Sequence, residues 1–173
     1  MIKRLNQFVE DANNMSWEQF LHAHDHHVVI IIPADETSAE PKDTSRFARA
    51  KEARPPINEN YRVGVLLKHP GSVTNDPVIR LGRSSQCDIR LGDIEVSKVH
   101  ALFDRIGGAW TIRDNASTNG TYVNGLRIPD DEPTRLRTAD TIKFGPGLSA
   151  VYFDPNDFYQ FLRSPEVQGA FLE

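Results

Sequence analysis

From Tyr61 to Phe153 the apolar residues either alternate with polar ones or come in short runs, and turn residues break the pattern at short intervals. This period-two signature predicts strands rather than helices. The segments are YRVGVLLK from Tyr61, PVIRLG from Pro77, CDIRL from Cys87, KVHALFDRI from Lys98, AWTIRDN from Ala109, TYVN from Thr121, RLRTADTIKFG from Arg135 and SAVYFD from Ser149. Gly107-Gly108, Asn119-Gly120, Asn124-Gly125 and Gly145-Pro146-Gly147 separate them. Asn-Gly between strands is a strong turn signal because both residues tolerate positive φ. Many short strands with regular turns predict an all-β sandwich.

The flanks follow a different period. Ile2, Leu5, Phe8, Val9 and Ala12 fall at helical spacing, so residues 1–24 read as helical up to the HAHDHH run. Asn13 and Asn14 interrupt, and Ser16 with Gln19 makes a capping box for a second turn carrying Trp17, Phe20 and Leu21. Val28–Ile32 follows as a short strand candidate. At the other end Asp154 is a cap, Pro155 suits the first helical position, and Phe158, Phe161 and Leu162 share a face. Residues 33–56 are charged and Pro-containing with almost no apolar anchor, the composition of a linker. The expected organisation is therefore an N-terminal helical and His-rich extension over 1–32, a linker over 33–56, a β domain over 57–153 and a helical tail over 154–173.

Composition narrows the function classes. The net charge of −4 sits in the flanks, because residues 57–153 hold 12 Lys/Arg against 11 Asp/Glu. No basic block marks a nucleic-acid surface. Val28–Ile32 is the longest aliphatic run, far short of a membrane span. One cysteine, Cys87, excludes an internal disulfide framework, and the first residues do not read as a secretion signal. A reducing, cytoplasmic setting is expected.

Candidate chemistry gathers in three loops. Gly82-Arg83-Ser84 follows one strand, Ser97-Lys98 precedes another, and Ser117-Thr118-Asn119-Gly120 precedes a third. Fixed cations, hydroxyls and amides on turns suit a dianionic phosphate with its acceptor oxygens. They read one ligand only if the loops lie at the same end of the sandwich.

This set resembles the forkhead-associated (FHA) domain, a phosphothreonine-binding module. The resemblance rests on LGRSSQCDIRL, DIEVSKVHA, the Trp110 strand, RDNASTNGTYVNG and DTIKFG, in that order, and covers about Tyr61 to Phe153. It implies a sandwich of about eleven strands with a peptide site on loops at one end. It assigns Arg83 to pairing with phosphate and Ser97 to a phosphate oxygen. Lys98 adds charge, Thr118 touches phosphate or nearby backbone, and Asn119 bonds the main chain of the peptide. It implies that His100 braces the loops, while Gly82, Gly120 and the Asn124-Gly125 turn shape them; Ser84 is an auxiliary donor. It also places Glu95 where some members select the peptide side chain three positions after phosphothreonine. A carboxylate there disfavours an acidic partner.

The function expected on this reading is a non-enzymatic adaptor downstream of a Ser/Thr kinase, bound to a phosphothreonine-containing protein, with no cofactor, nucleic acid or membrane. The flanking helices offer a connection to a second protein. Thr37 and Thr44, in the linker, are candidate phosphorylation sites for regulation by the chain's own N-terminal segment. The alternative is a phosphate-independent scaffold that uses another face. No nucleophile–base pair or paired-carboxylate pattern supports an enzyme. His22 and His26, spaced i, i+4, would share a face for metal if helical, but no second ligand pair accompanies them, and no metal is expected.

Overall fold

Two sheets of seven and five strands, with four helices, make up the computed structural model, which describes residues 1–32, 57–72 and 74–171. The larger sheet runs β1 (Ile2–Arg4), β3 (Arg62–Val65), β2 (Val28–Ile32), β12 (Leu148–Phe153), β11 (Thr141–Phe144), β8 (Thr121–Val123) and β9 (Leu126–Arg127). The smaller runs β10 (Thr134–Arg135), β7 (Ala109–Asp114), β6 (Ala101–Ile106), β4 (Ile79–Gly82) and β5 (Ile89–Arg90). All pairs are antiparallel except β4 with β5. The helices are α1 (Leu5–Asn14), α2 (Trp17–Ala23), α3 (Pro155–Leu162) and α4 (Pro165–Phe171).

The architecture turns on β2. All five of its residues are buried, because it packs on both faces. Val29 and Ile31 enter the core between the sheets with Leu81, Phe103, Ile112, Ile142 and Phe144. Val28, Ile30 and Ile32 face the other way, into a second core with Phe8, Phe20, Phe158, Leu162 and Val167 from the helices. A strand covered on both sides needs a continuous apolar run, which is what Val28–Ile32 supplies. The apolar faces of α1 and α3 are thereby used on β2, β3 and β12.

Local caps follow the expected chemistry. Ser16 Oγ accepts from the Gln19 N–H at 3.3 Å, and Gln19 Oε1 accepts from the Ser16 N–H at 2.9 Å. Asp154 accepts from the Asp157 N–H at 2.8 Å, with Pro155 in the first turn of α3.

Three sequence expectations change. The N-terminal helix starts at Leu5, and Ile2–Arg4 instead pairs antiparallel with β3. Pairing there covers an edge that would otherwise leave backbone groups open. The segment from Arg135 to Gly145 is not one strand: Arg135 ends β10 in the smaller sheet, and Thr141 begins β11 in the larger. Asp140 accepts from the Arg137 N–H at 2.8 Å and closes the turn that moves the chain between sheets. Finally, α2 ends at Ala23, so His22 and His26 do not lie on one helix. His24 pairs with Asp11 at 3.0 Å, and His27 stacks on Tyr152. Among the described residues no group of three or more His, Cys, Asp or Glu is arranged to hold a metal, and no helix is long and apolar enough to cross a membrane.

Candidate functional site

The loops that carry the candidate residues meet at one end of the sandwich, joined by backbone hydrogen bonds. At the end of β4 the Arg83 N–H donates to the Ser97 carbonyl and the Ser84 N–H to the Lys98 carbonyl, both at 2.9 Å. This approach requires Gly82, because a Cβ there would stand 2.4 Å from the Lys98 carbonyl oxygen. The third loop joins through side chains. The Thr118 N–H donates to Ser97 Oγ at 3.1 Å, and Asn119 Nδ2 donates to the Glu95 carbonyl at 2.9 Å and carboxylate at 2.8 Å.

Beneath the surface lies a polar brace. His100 is fully buried. Its Nδ1 accepts from the Ser97 N–H at 3.1 Å, which puts the ring proton on Nε2, where it donates to the Gly120 carbonyl at 3.1 Å. One imidazole therefore ties the second loop to the third. Burial lowers its pKa, and the bond to Gly120 and the charge of Asp114 oppose this without reversing it. The neutral ring that the tautomer requires is thus the favoured one.

Asp114, also fully buried, holds the third loop from within. Its carboxylate accepts from the Ser117 N–H at 2.8 Å, from Ser117 Oγ at 2.7 Å and from the Thr121 hydroxyl. Ser117 Oγ accepts in turn from the Gly120 N–H at 2.9 Å. Burial pushes the Asp114 pKa up, but the bonds from Thr121 and Ser117 outweigh it and the net shift is down. A buried carboxylate with every partner in place makes a rigid loop.

The exposed groups differ in what remains open to a ligand. Arg83 is exposed and tethered only through Nε, which donates to the Val96 carbonyl at 3.3 Å, leaving its Nη groups uncommitted among the described residues. Lys98 and Thr118 are exposed beside it. Ser97 Oγ uses a lone pair on Thr118 and keeps its proton for an acceptor. Ser84 Oγ accepts from the Gln86 N–H at 3.2 Å. The cluster thus offers two cations, a hydroxyl and a constrained amide around one spot, suited to a phosphate ester and adjacent main chain.

A family model, the FHA domain, matches residues 79–145, the stretch that builds this cluster. The chain carries an FHA domain. Over 74 residues it is 38% identical to the E3 ubiquitin-protein ligase rnf8 of Danio rerio, which spans 41% of this chain and 14% of that protein. Over 71 residues it is 39% identical to the glycogen accumulation regulator GarA of Mycolicibacterium smegmatis, spanning 41% and 43% respectively. The match thus spans less than half of each of these relatives. A structure of Mycobacterium tuberculosis EmbR in complex with a low affinity phosphopeptide is 28% identical, covering 44% of this chain and 20% of that one, with a TM-score of 0.41.

Within the FHA domain, other expected residues lie elsewhere. Asn124 and Gly125 sit at the far end of β8, where φ of 51° and 80° make the tight turn into β9. Asn124 accepts there from the Thr141 N–H at 3.0 Å. Asn119-Gly120 is not a hairpin turn, since β7 and β8 belong to different sheets. Cys87 is buried, its Sγ 3.2 Å from the Lys98 carbonyl, and burial pushes its thiol pKa up. Thr37 and Thr44 lie outside the described residues. The sequence reading missed the Asp114 brace and the Glu95–Asn119 contact. An Asp followed three residues later by Ser is a local signal for the first, because such a carboxylate commonly accepts from the backbone of that turn.

Proposed function

We propose that this protein is a phosphothreonine-peptide-binding adaptor without catalytic activity of its own, acting downstream of a Ser/Thr kinase in the cytoplasm. The observation that carries the reading is that the Arg83 Nη groups are uncommitted among the described residues, on a loop joined to the one presenting the Ser97 hydroxyl and Lys98 and braced by His100 and Asp114. Preorganised donors lose little on ordering around an anion. In this reading Arg83, Ser97 and Lys98 take the phosphate, with Thr118 and Ser84 as auxiliary donors. Asn119 takes the peptide backbone.

Glu95 then acts twice. Its carboxylate orients Asn119, and its charge disfavours an acidic side chain three positions after the phosphothreonine. Phosphorylation of Thr37 or Thr44 would supply a ligand within the same chain. The test is titration of a phosphothreonine peptide library into the wild-type protein and the Arg83→Ala variant. Loss of two charge-assisted bonds corresponds to about 100-fold weaker binding or more, with an unchanged melting temperature. Equal binding by the two proteins would disprove the assigned site.

A further inference from the structure

Next to the phosphate-reading loops, part of the larger sheet lies beyond the helical layer. The helices pack on β3, β2 and β12, and the outer face of β11, β8 and β9 falls outside their core. On that face, register sets Arg127 opposite Tyr122, and Tyr122 opposite Lys143. The strand neighbours of Tyr122 and Lys143 (Thr121, Val123, Ile142 and Phe144) are buried, so these two side chains point outward, and register places Arg127 on the same face. The side chains of Arg127 and Lys143 have no hydrogen-bond or ion-pair partner among the described residues.

The row is continuous with the loops across two glycines. The Gly145 N–H donates to the Gly120 carbonyl at 2.9 Å, so the two lie side by side. A Cβ on Gly145 would stand 3.1 Å from Asn119 Cβ, and one on Gly120 would stand 2.8 Å from Arg127 Nε. The Arg127 guanidinium therefore rests against the backbone directly behind Asn119. Both glycines are buried, with Arg127 packed over Gly120 and Asn119 over Gly145, so the basic row directly adjoins Asn119.

We propose that Arg127, Tyr122 and Lys143 form a second anion-binding segment of the peptide site, which takes acidic side chains flanking the phosphothreonine. This rests on the phosphopeptide reading of the loops. Charge complementarity and the position of Arg127 directly behind Asn119 favour the same peptide as the occupant. Glu95 carries the opposite sign on the loop that Asn119 bonds, so the two regions sort acidic residues towards the row. Asn119 and Tyr122 are three residues apart, so at about 3.3 Å per extended residue an extended peptide reaches the row within roughly three residues of the one that Asn119 holds.

The experiment uses the full chain and phosphothreonine peptides whose flanks are all Ala, or carry Asp or Lys three to five positions away on one side or the other. Wild-type protein should bind one of the Asp peptides about 5-fold tighter than the Ala peptide at low salt, with the gain shrinking in high salt. The Arg127→Glu/Lys143→Glu variant should reverse the order, preferring Lys, and should keep its affinity for the Ala peptide within about 2-fold, which also shows that it is folded. Tight binding of the Ala peptide with no Asp preference, or an Asp preference that survives in the variant, would overturn the proposal. If wild type binds no phosphothreonine peptide, the loop reading falls and this one with it.

Discussion

The two ends of the seven-stranded sheet hold their shape by different physics. Under the helices, β2, β3 and β12 are fixed by apolar burial, with Phe8 and Phe20 at 5.3 and 6.2 Å from Phe158. At the loop end the same sheet, through β8 and β11, meets loops fixed by buried hydrogen bonds to His100 and Asp114. Apolar contacts are non-directional and tolerate repacking. Hydrogen bonds specify positions, and the second mode suits an end whose exposed donors must stay at fixed separations. The helical layer thus contributes stability, and the loop end contributes stability and, in the function proposed above, recognition as well.

Phe158→Ala breaks the first region alone. It removes a ring that is 1% exposed and should cost about 3–5 kcal/mol of unfolding free energy, read by denaturant titration. Phosphopeptide affinity of the folded variant should be unchanged. Asp114→Ala should cost somewhat less, about 2–3 kcal/mol, because Ser117 and Thr121 lose a buried acceptor. This variant should also lose affinity, measured by calorimetry at a temperature where it is folded. If Asp114→Ala binds as wild type does, the brace does not position the ligand-reading loop.

The smallest expected effect is of pH. His100 and His27 both have pKa values lowered by burial from 6.5, so each is held neutral in the folded state. The unfolded chain takes up these protons first as pH falls below about 6.5, and stability declines from there down to the folded pKa values. Asp114 and Asp88 have lowered pKa values, and their contribution is lost only further down, below 3.8. Melting temperature should therefore drop between pH 7.5 and 5.5. His27→Gln should keep the part of that slope due to His100, and a flat profile in wild type would contradict the neutral brace.

How much of this is legible in the sequence differs between the regions for the same reason. Alternation and Gly-containing turns announce the sandwich, and LGRSS and STNG announce the loops. Val28–Ile32 reads as a strand, but its place between β3 and β12 depends on long-range pairing that no local pattern encodes. Ile2 fits helical spacing and strand pairing equally, and tertiary contact with β3 decides it. Two-residue strands such as β9 are too short to show a period, although β9 brings Arg127 back beside Gly120. The brace is hidden because its partners are ordinary turn residues until the fold buries them. Ala116, at φ 47°, gives no warning of the left-handed turn it adopts.

The central claim is that Arg83 and Ser97 read a phosphate on threonine. Calorimetric titration of one peptide in three forms, with Thr, phosphothreonine and phosphoserine at the same position, tests it most directly. Wild type should bind the phosphothreonine form, bind the phosphoserine form about 4-fold more weakly for loss of one methyl contact, and show no heat with the unmodified peptide. Binding of the unmodified peptide with the affinity of the phosphothreonine form would contradict the account.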